Sequence, residues 1–389
     1  MTKTTIEPRR PDVPSTGGRR SLRLRLLGGS AFLIVLFLGA VALLVMVPRM
    51  LRAGDKPATL VVASLPFWNL SAGDTVLAAN PGTFNEVSPW IYGLARNGQI
   101  VPQAPEVAAQ TAAGMAQLRK LGIPVVPTIA NRTNDRWAYE PVADILHDPA
   151  AMTRHVNDIV ALVQRENYAG IDIDYEDLPA TDRKVFTTFI TDLAGALHSK
   201  GKVLSVALFA KTSDAGDDQR NAGQDYAAIG AAADEVRLMA YDYHWSGSTA
   251  GSVAPMPWVR DVLAYAKTQI PPEKIVLGIA LSGYDWVGDQ AEVVTWIQCY
   301  GRAQKYHATT QWDRLSESPS FKYTDEQGRE HEVWFENADS MAFKLEAAKA
   351  AGIRGVYLWM ISSEDDRSWA TLRKVIPLHP TSSAEGTSR

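Results

Sequence analysis

The stretch Tyr168-Ala-Gly-Ile-Asp-Ile-Asp-Tyr-Glu-Asp177 decides how this chain is read. Side chains alternate along a β-strand, so Asp172, Asp174 and Glu176 share one face at steps of about 6.6–7 Å, and Ile171, Ile173 and Tyr175 share the other. The apolar face is one that packs under helices, whereas a file of three carboxylates is costly to bury without compensation. Both faces are accommodated at the C-terminal end of a parallel barrel strand, where the interior opens into a pocket. There, desolvation and repulsion from Asp174 are expected to raise the pKa of Glu176 and keep it protonated, the state a general acid requires. An exposed acidic turn is the plain alternative, and the strictly apolar alternate positions speak against it. Asp172-Ile-Asp174 can also be read as the metal clamp of a nucleotide-sugar transferase, although the basic residues expected near a diphosphate are missing. An EF-hand fails for want of a glycine at the sixth loop position.

Outward from this strand, short β-branched runs alternate with longer Ala-rich stretches, the pattern of βα units. The runs are 59–65, 84–94, 123–129, 170–176, 203–209, 236–241, 275–281 and 355–359. Eight of them predict a closed (β/α)8 barrel of the TIM type over residues 59–376, and no GxGxxG turn follows the first to suggest a doubly wound sheet. Between the seventh and eighth runs, about 290–339 departs from the helix pattern. Two strand-like pieces, 321–323 and 331–335, flank the turn-like Asp325-Glu-Gln-Gly328, which predicts a small α+β insertion. Residues 377–389 read as a disordered tail.

The N-terminal part is of another kind. Residues 1–25 are basic, with Arg9, Arg10, Arg19, Arg20, Arg23 and Arg25. They precede LLGGSAFLIVLFLGAVALLVMV at 26–47, 22 residues without a charge, which is long enough to cross a bilayer. With no clear cleavage site after it, the segment is expected to be an uncleaved single-pass signal-anchor. The basic flank places the N-terminus in the cytoplasm and everything beyond a linker at 48–58 outside it, in the periplasm or extracellular space. The formal net charge of −4 conceals this asymmetry, because residues 1–56 hold ten Lys/Arg against three Asp/Glu. The acidic remainder is a poor nucleic-acid binder. One cysteine, Cys299, excludes an intramolecular disulfide framework and any multi-cysteine cluster, and the seven histidines form no HExxH-like spacing.

The acidic strand resembles the DGxDxDxE signature of family 18 glycoside hydrolases, the chitinase-like (β/α)8 enzymes, with Ala169 in place of the leading Asp. Leu238-Met-Ala-Tyr-Asp242 is similar to that family's MxYD segment, and Gly355-Val-Tyr-Leu-Trp359 to its eighth-strand tryptophan segment. His331-Glu-Val-Trp-Phe-Glu336, followed by Ser340 and Lys344, resembles the insertion of the chitobiase and spore-cortex-lytic branch.

The resemblance implies a glycoside hydrolase acting on β-linked N-acetylglucosamine glycans, whether peptidoglycan, exopolysaccharide or chitin-like, by substrate-assisted retention. It needs no metal or organic cofactor. In that scheme Glu176 is the general acid/base, Asp174 orients the acetamido group, Asp172 supports Asp174, and Tyr241 holds the acetamido oxygen. Asp242 and Met239 line the same subsite and Trp359 forms its floor. Trp68, Trp90 and Tyr92, at the ends of the first two runs, are candidate cleft residues on their own positions. The chain is expected to act as a monomer. A non-catalytic carbohydrate-binding or envelope-assembly protein on the same barrel is the alternative.

Overall fold

Strand alternation carries through to a closed barrel. In the computed structural model, which describes residues 59–134, 136–215 and 222–377, eight parallel strands hydrogen-bond in a ring. They are β1 (Leu60–Pro66), β2 (Glu86–Leu94), β3 (Thr128–Ala130), β4 (Gly170–Asp174), β5 (Val203–Phe209), β6 (Glu235–Met239), β7 (Ile275–Ala280) and β8 (Gly355–Trp359). β1 pairs with both β2 and β8, which closes the ring. The expected basic N-terminus, membrane segment, linker and all but the first residue of the tail lie outside the described residues. Among the described residues no helix is long and apolar enough to cross a membrane.

Among the described residues there are ten α-helices: α1 (Leu70–Ala79), α2 (Ala108–Lys120), α3 (Glu140–Leu146), α4 (Pro149–Arg165), α5 (Arg183–His198), α6 (Tyr226–Ala232), α7 (Met256–Gln269), α8 (Trp296–Lys305), α9 (Ala338–Ala351) and α10 (Ser368–Val375). All except α8 belong to the barrel's βα units. α4 starts on Asp148, whose carboxylate accepts from the Ala150 amide at 2.8 Å, an N-cap that satisfies an otherwise orphaned donor. Its buried stripe of Met152, Val156, Ile159 and Val163 joins the α5 stripe of Phe186, Phe189, Ile190 and Leu193 over the outer face of β4. Tyr175 continues that outer face. It stacks on Phe189 at 5.9 Å and shares a 2.7 Å hydrogen bond with buried His155. The two faces of one strand thus meet opposite environments, hydrocarbon outside and carboxylates within.

The third run is shorter than expected. Pro124 and Pro127 remove backbone donors, and only an isolated bridge at Val125 precedes the three-residue β3. The insertion begins earlier than the expected 290. The chain leaves β7 directly into a strand at Ser282–Val287, and four more strands follow at Gln290–Thr295, Gln311–Asp313, Ser318–Thr324 and Glu330–Phe335, with α8 packed against them. The helix α8 fits the expected α+β character, whereas the early start escaped the sequence reading because Ser282–Val287, with its glycine and aspartate, does not read as a β-branched run. The insertion has its own core of Val294, Cys299, Phe321, Val333 and Phe335. Beneath it Asp285 accepts hydrogen bonds from Tyr323 at 2.6 Å and His331 at 2.7 Å and pairs with Arg302. Burial pushes the Cys299 thiol up to about 12, so it behaves as core.

The segment that resembles the spore-cortex-lytic branch joins this insertion to the barrel. Lys344 Nζ lies 2.7 Å from Glu336 Oε2, both side chains 1% exposed, and Ser340 Oγ donates to the same oxygen at 2.6 Å. Removing one member of such a pair strands the other charge in the interior. Lys344→Met is therefore expected to lower unfolding free energy by about 3–5 kcal/mol. The double variant with Glu336→Gln should recover much of that loss, and urea denaturation of the three proteins measures it. Equal stabilities for wild type and Lys344→Met would show that the pair contributes nothing.

Candidate active site

The carboxylate row lies where alternation predicts. Asp172 and Asp174 point into the barrel, 1% and 6% exposed, and Glu176 follows beyond the end of β4, half-buried at the mouth. Asp172 accepts from Ser205 Oγ on β5 at 2.6 Å and Thr128 Oγ1 on β3 at 2.9 Å, and Arg237 Nη1 on β6 lies 3.3 Å away. Asp174 Oδ2 accepts from the Trp90 indole N–H at 3.0 Å. The donors on Asp172 occupy lone pairs that a metal clamp would need. Among the described residues no group of three His, Cys, Asp or Glu side chains is placed to hold a metal ion.

Glu176 is held by a residue that sequence reasoning missed. Buried Asn131, just past β3, accepts from the Glu176 amide at 2.9 Å and donates to the Glu176 carbonyl at 3.0 Å. Its amide thus substitutes for a neighbouring strand and carries the extended backbone past Asp174. Asp177 then turns into the left-handed region at φ 58°, a conformation that short polar side chains tolerate. Burial first, and the charge of Asp172 second, push Asp174 up to about 7, while hydrogen bonds from Trp90 and Glu176 draw it back.

Tyr241 and Asp242 extend β6 beyond its last paired residue, Met239. Gly278 on β7 makes room for the tyrosine, since a Cβ there would sit 2.9 Å from the ring and 2.5 Å from the Leu238 carbonyl oxygen. Burial raises the Tyr241 hydroxyl well above its ordinary value, so it is a neutral donor. Asp242 accepts from Tyr284 Oη of the insertion at 2.9 Å.

These groups line one cleft of about 580 Å³ together with Met239, Trp359, Trp68 and Trp90. Trp90 is its aromatic hub, with Trp359 at 5.7 Å, Trp68 at 5.8 Å, Trp137 at 6.1 Å and the Arg132 guanidinium over its ring at 5.3 Å. Trp68, Trp137 and Trp245 stand partly exposed around the rim. Trp137, Arg132 and Tyr284 had no sequence signal, because Arg132 and Trp137 pair across two two-residue strands, Arg132–Thr133 and Arg136–Trp137, too short to show a pattern, and Tyr284 comes from the insertion.

One expected cleft residue is misplaced. Tyr92 packs against the helix-side core, and its hydroxyl meets that of Tyr168 at 2.8 Å. The register between β2 and β3 shifts between Trp90 and Tyr92, and this irregularity breaks the alternation that would have turned Tyr92 inward.

An acidic row at the C-terminal end of a barrel strand, beneath an aromatic-lined cleft, is the arrangement of a carbohydrate-processing site. The profile of glycosyl hydrolases family 18 matches residues 83–365, and the chain belongs to that family, in the branch of the chitobiases and spore-cortex-lytic enzymes. It is similar to YdhD of Bacillus subtilis (strain 168), 36% identical over 283 residues that cover 72% of this chain and 66% of that protein. The cortical fragment-lytic enzyme of the same organism is 32% identical over 297 residues, 74% of this chain and 68% of the relative. The chain therefore spans about two thirds of the length of these curated relatives. The crystal structure of a chitinase from Chromobacterium violaceum superposes with a TM-score of 0.75 at 30% identity, over 83% of this chain and all of that one.

The position of Asp174 has a consequence for stability. Its folded pKa is raised above the unfolded value of 3.8, so the stability it contributes is fully present below pH 3.8 and is lost as pH rises through about 7. Asp174→Asn cannot ionise. It is expected to gain at least about 1 kcal/mol on wild type between pH 5 and pH 8, by urea unfolding at both values. A stability difference that stays constant with pH would contradict the assignment.

Proposed function

We propose that the chain is a glycoside hydrolase acting on β-linked N-acetylglucosamine glycans, with Glu176 as general acid/base and the substrate's own 2-acetamido oxygen as nucleophile. The observation that carries this reading is the engagement of Asp174. Retaining enzymes with an enzymic nucleophile place a second free carboxylate about 5–5.5 Å from the acid. Here the second carboxyl is buried, held by Trp90 and hydrogen-bonded to Glu176, which fits it to orient a substrate group rather than attack.

Glu176 stands at the cleft mouth, where it can protonate the leaving oxygen and then activate water. Asp174 would accept from the acetamido N–H and offset the charge that develops on it. Tyr241, a neutral donor, would hold the acetamido oxygen in attack geometry. Trp359 offers a floor for the sugar ring, and Trp68, Trp137 and Trp245 offer outer stacking surfaces. The similarity to a cortical fragment-lytic enzyme and to a chitinase supports a glycan rich in N-acetylglucosamine. We extend the proposal to location. The uncharged segment 26–47 behind a basic flank would hold the barrel outside the cytoplasmic membrane, next to envelope glycan.

A non-catalytic binder on the same barrel is the competing reading, and Glu176→Gln separates the two. On N-acetylglucosamine oligomers and purified peptidoglycan, the wild-type chain is expected to release products with retained anomeric configuration. The variant should lose at least about two orders of magnitude in kcat while still binding. Equal binding without cleavage by either protein would leave a binding role.

A further inference from the structure

Arg237 lies inside the barrel, wholly buried, on the same face of β6 as Met239. Its Nη2 reaches Glu86 Oε1 on β2 at 2.5 Å and lies 3.7 Å from Glu235 Oε2 on its own strand. Its Nη1 donates to Ser88 Oγ at 2.6 Å and lies 3.3 Å from Asp172 Oδ2. The Tyr357 ring of β8 sits 5.2 Å from its Cζ, and the charge of Arg354 also acts on Glu235. The guanidinium therefore stands between a floor of two glutamates and the foot of the carboxylate row.

The two aspartates of the row meet different partners. Asp172 receives Thr128, Ser205 and the Arg237 charge, a set of donors that suits an anion. Asp174 receives the neutral Trp90 N–H and the Glu176 hydrogen bond, feels the Arg237 charge only as the smallest of its influences, and has Tyr241 and Tyr357 near it. Two adjacent buried carboxyls compete for one proton, and a cation close to one of them decides which keeps it.

We propose that Arg237 is a positioning residue that pins the row's negative charge on Asp172, so that the proton resides on the Asp174–Glu176 pair at the cleft. It touches no substrate and acts through Asp172. The proposal rests on the hydrolase reading for its catalytic meaning but not for its test. Without the guanidinium, the proton passes to Asp172, and Asp174 is left charged before substrate arrives.

The test follows the Asp174 carboxyl carbon by NMR in ligand-free protein labelled with 13C-aspartate, the signal being assigned with Asp174→Asn. In Arg237→Met the Asp174 midpoint is expected to fall by at least about one pH unit, with Asp172 taking up the proton. Arg237→Lys, which keeps the charge, should stay near wild type. Because Arg237→Met leaves Glu86 without its cation, the double variant Arg237→Met/Glu86→Gln, which removes both members of that contact, serves if the single variant does not fold. An unchanged Asp174 midpoint in either folded variant overturns the proposal. So does failure of both to fold beside an unaltered Arg237→Lys, which would make Arg237 a folding residue only. On N-acetylglucosamine oligomers the folded variants should lose kcat with little change in KM and show an acid-shifted optimum. If the wild type cleaves no glycan, the functional reading fails while the titration still decides the role of Arg237.

Discussion

The constraint on which the rest depends is the burial of Asp172 and Asp174 inside a ring of strands. Two carboxylates in a barrel interior must be hydrogen-bonded, paired or protonated. All three remedies are present: hydrogen bonds from hydroxyls on β3 and β5 and an indole N–H on β2, a guanidinium from β6, and a raised pKa that favours protonation of Asp174. Positions that other barrels fill with Val, Ile or Leu are polar here. The interior is consequently a graded column, with ion-paired glutamates and Arg237 below, the aspartates in the middle, and Glu176 with the tryptophans at the open end. That gradient is what makes the C-terminal mouth chemically distinct from the floor.

Such an arrangement is costly, and the outer shell offsets it. Ile171, Ile173 and Tyr175 are fully buried beneath α4 and α5, and the aromatic stack of Tyr175 on Phe189 continues their packing. Burial of large apolar side chains contributes about 1.5–3 kcal/mol each, so one side of β4 stabilises what the other destabilises. The insertion follows the same logic at a smaller scale. Its own apolar core lets it stand as a folded lobe, and the buried Glu336–Lys344 pair and the Asn337 cap of α9 tie it to the barrel. Tyr284, reaching Asp242 from that lobe, links the insertion to the rim of the cleft.

Much of this was legible in order along the chain. The eight β runs and the inward file of Asp172, Asp174 and Glu176 follow from period-two alternation, a local property of backbone geometry, whereas the convergence of Met239, Tyr241, Asp242 and Trp359 was implied by the resemblance to family 18, adjacent Tyr241 and Asp242 both facing the cleft because the backbone turns at Asp242. What alternation could not supply is any contact between distant strands. Arg237 is on the same face as Met239 and was open to the same reading, yet nothing local says that its partner is 65 residues earlier, at Asp172. Asn131 reads as a loop residue until β3 and β4 are laid side by side. Tyr92 shows the limit from the other direction, because one register shift is enough to defeat a periodic argument.

By itself, then, the amino-acid sequence determined the barrel, the acidic strand and the family, since each is written in short-range pattern and in the spacing of motifs. Only the tertiary structure decided how the buried charge is shared. Electrostatic energy in a low-dielectric interior depends on separations of a few ångströms between groups far apart in the chain, and those separations exist only once the ring of strands has closed.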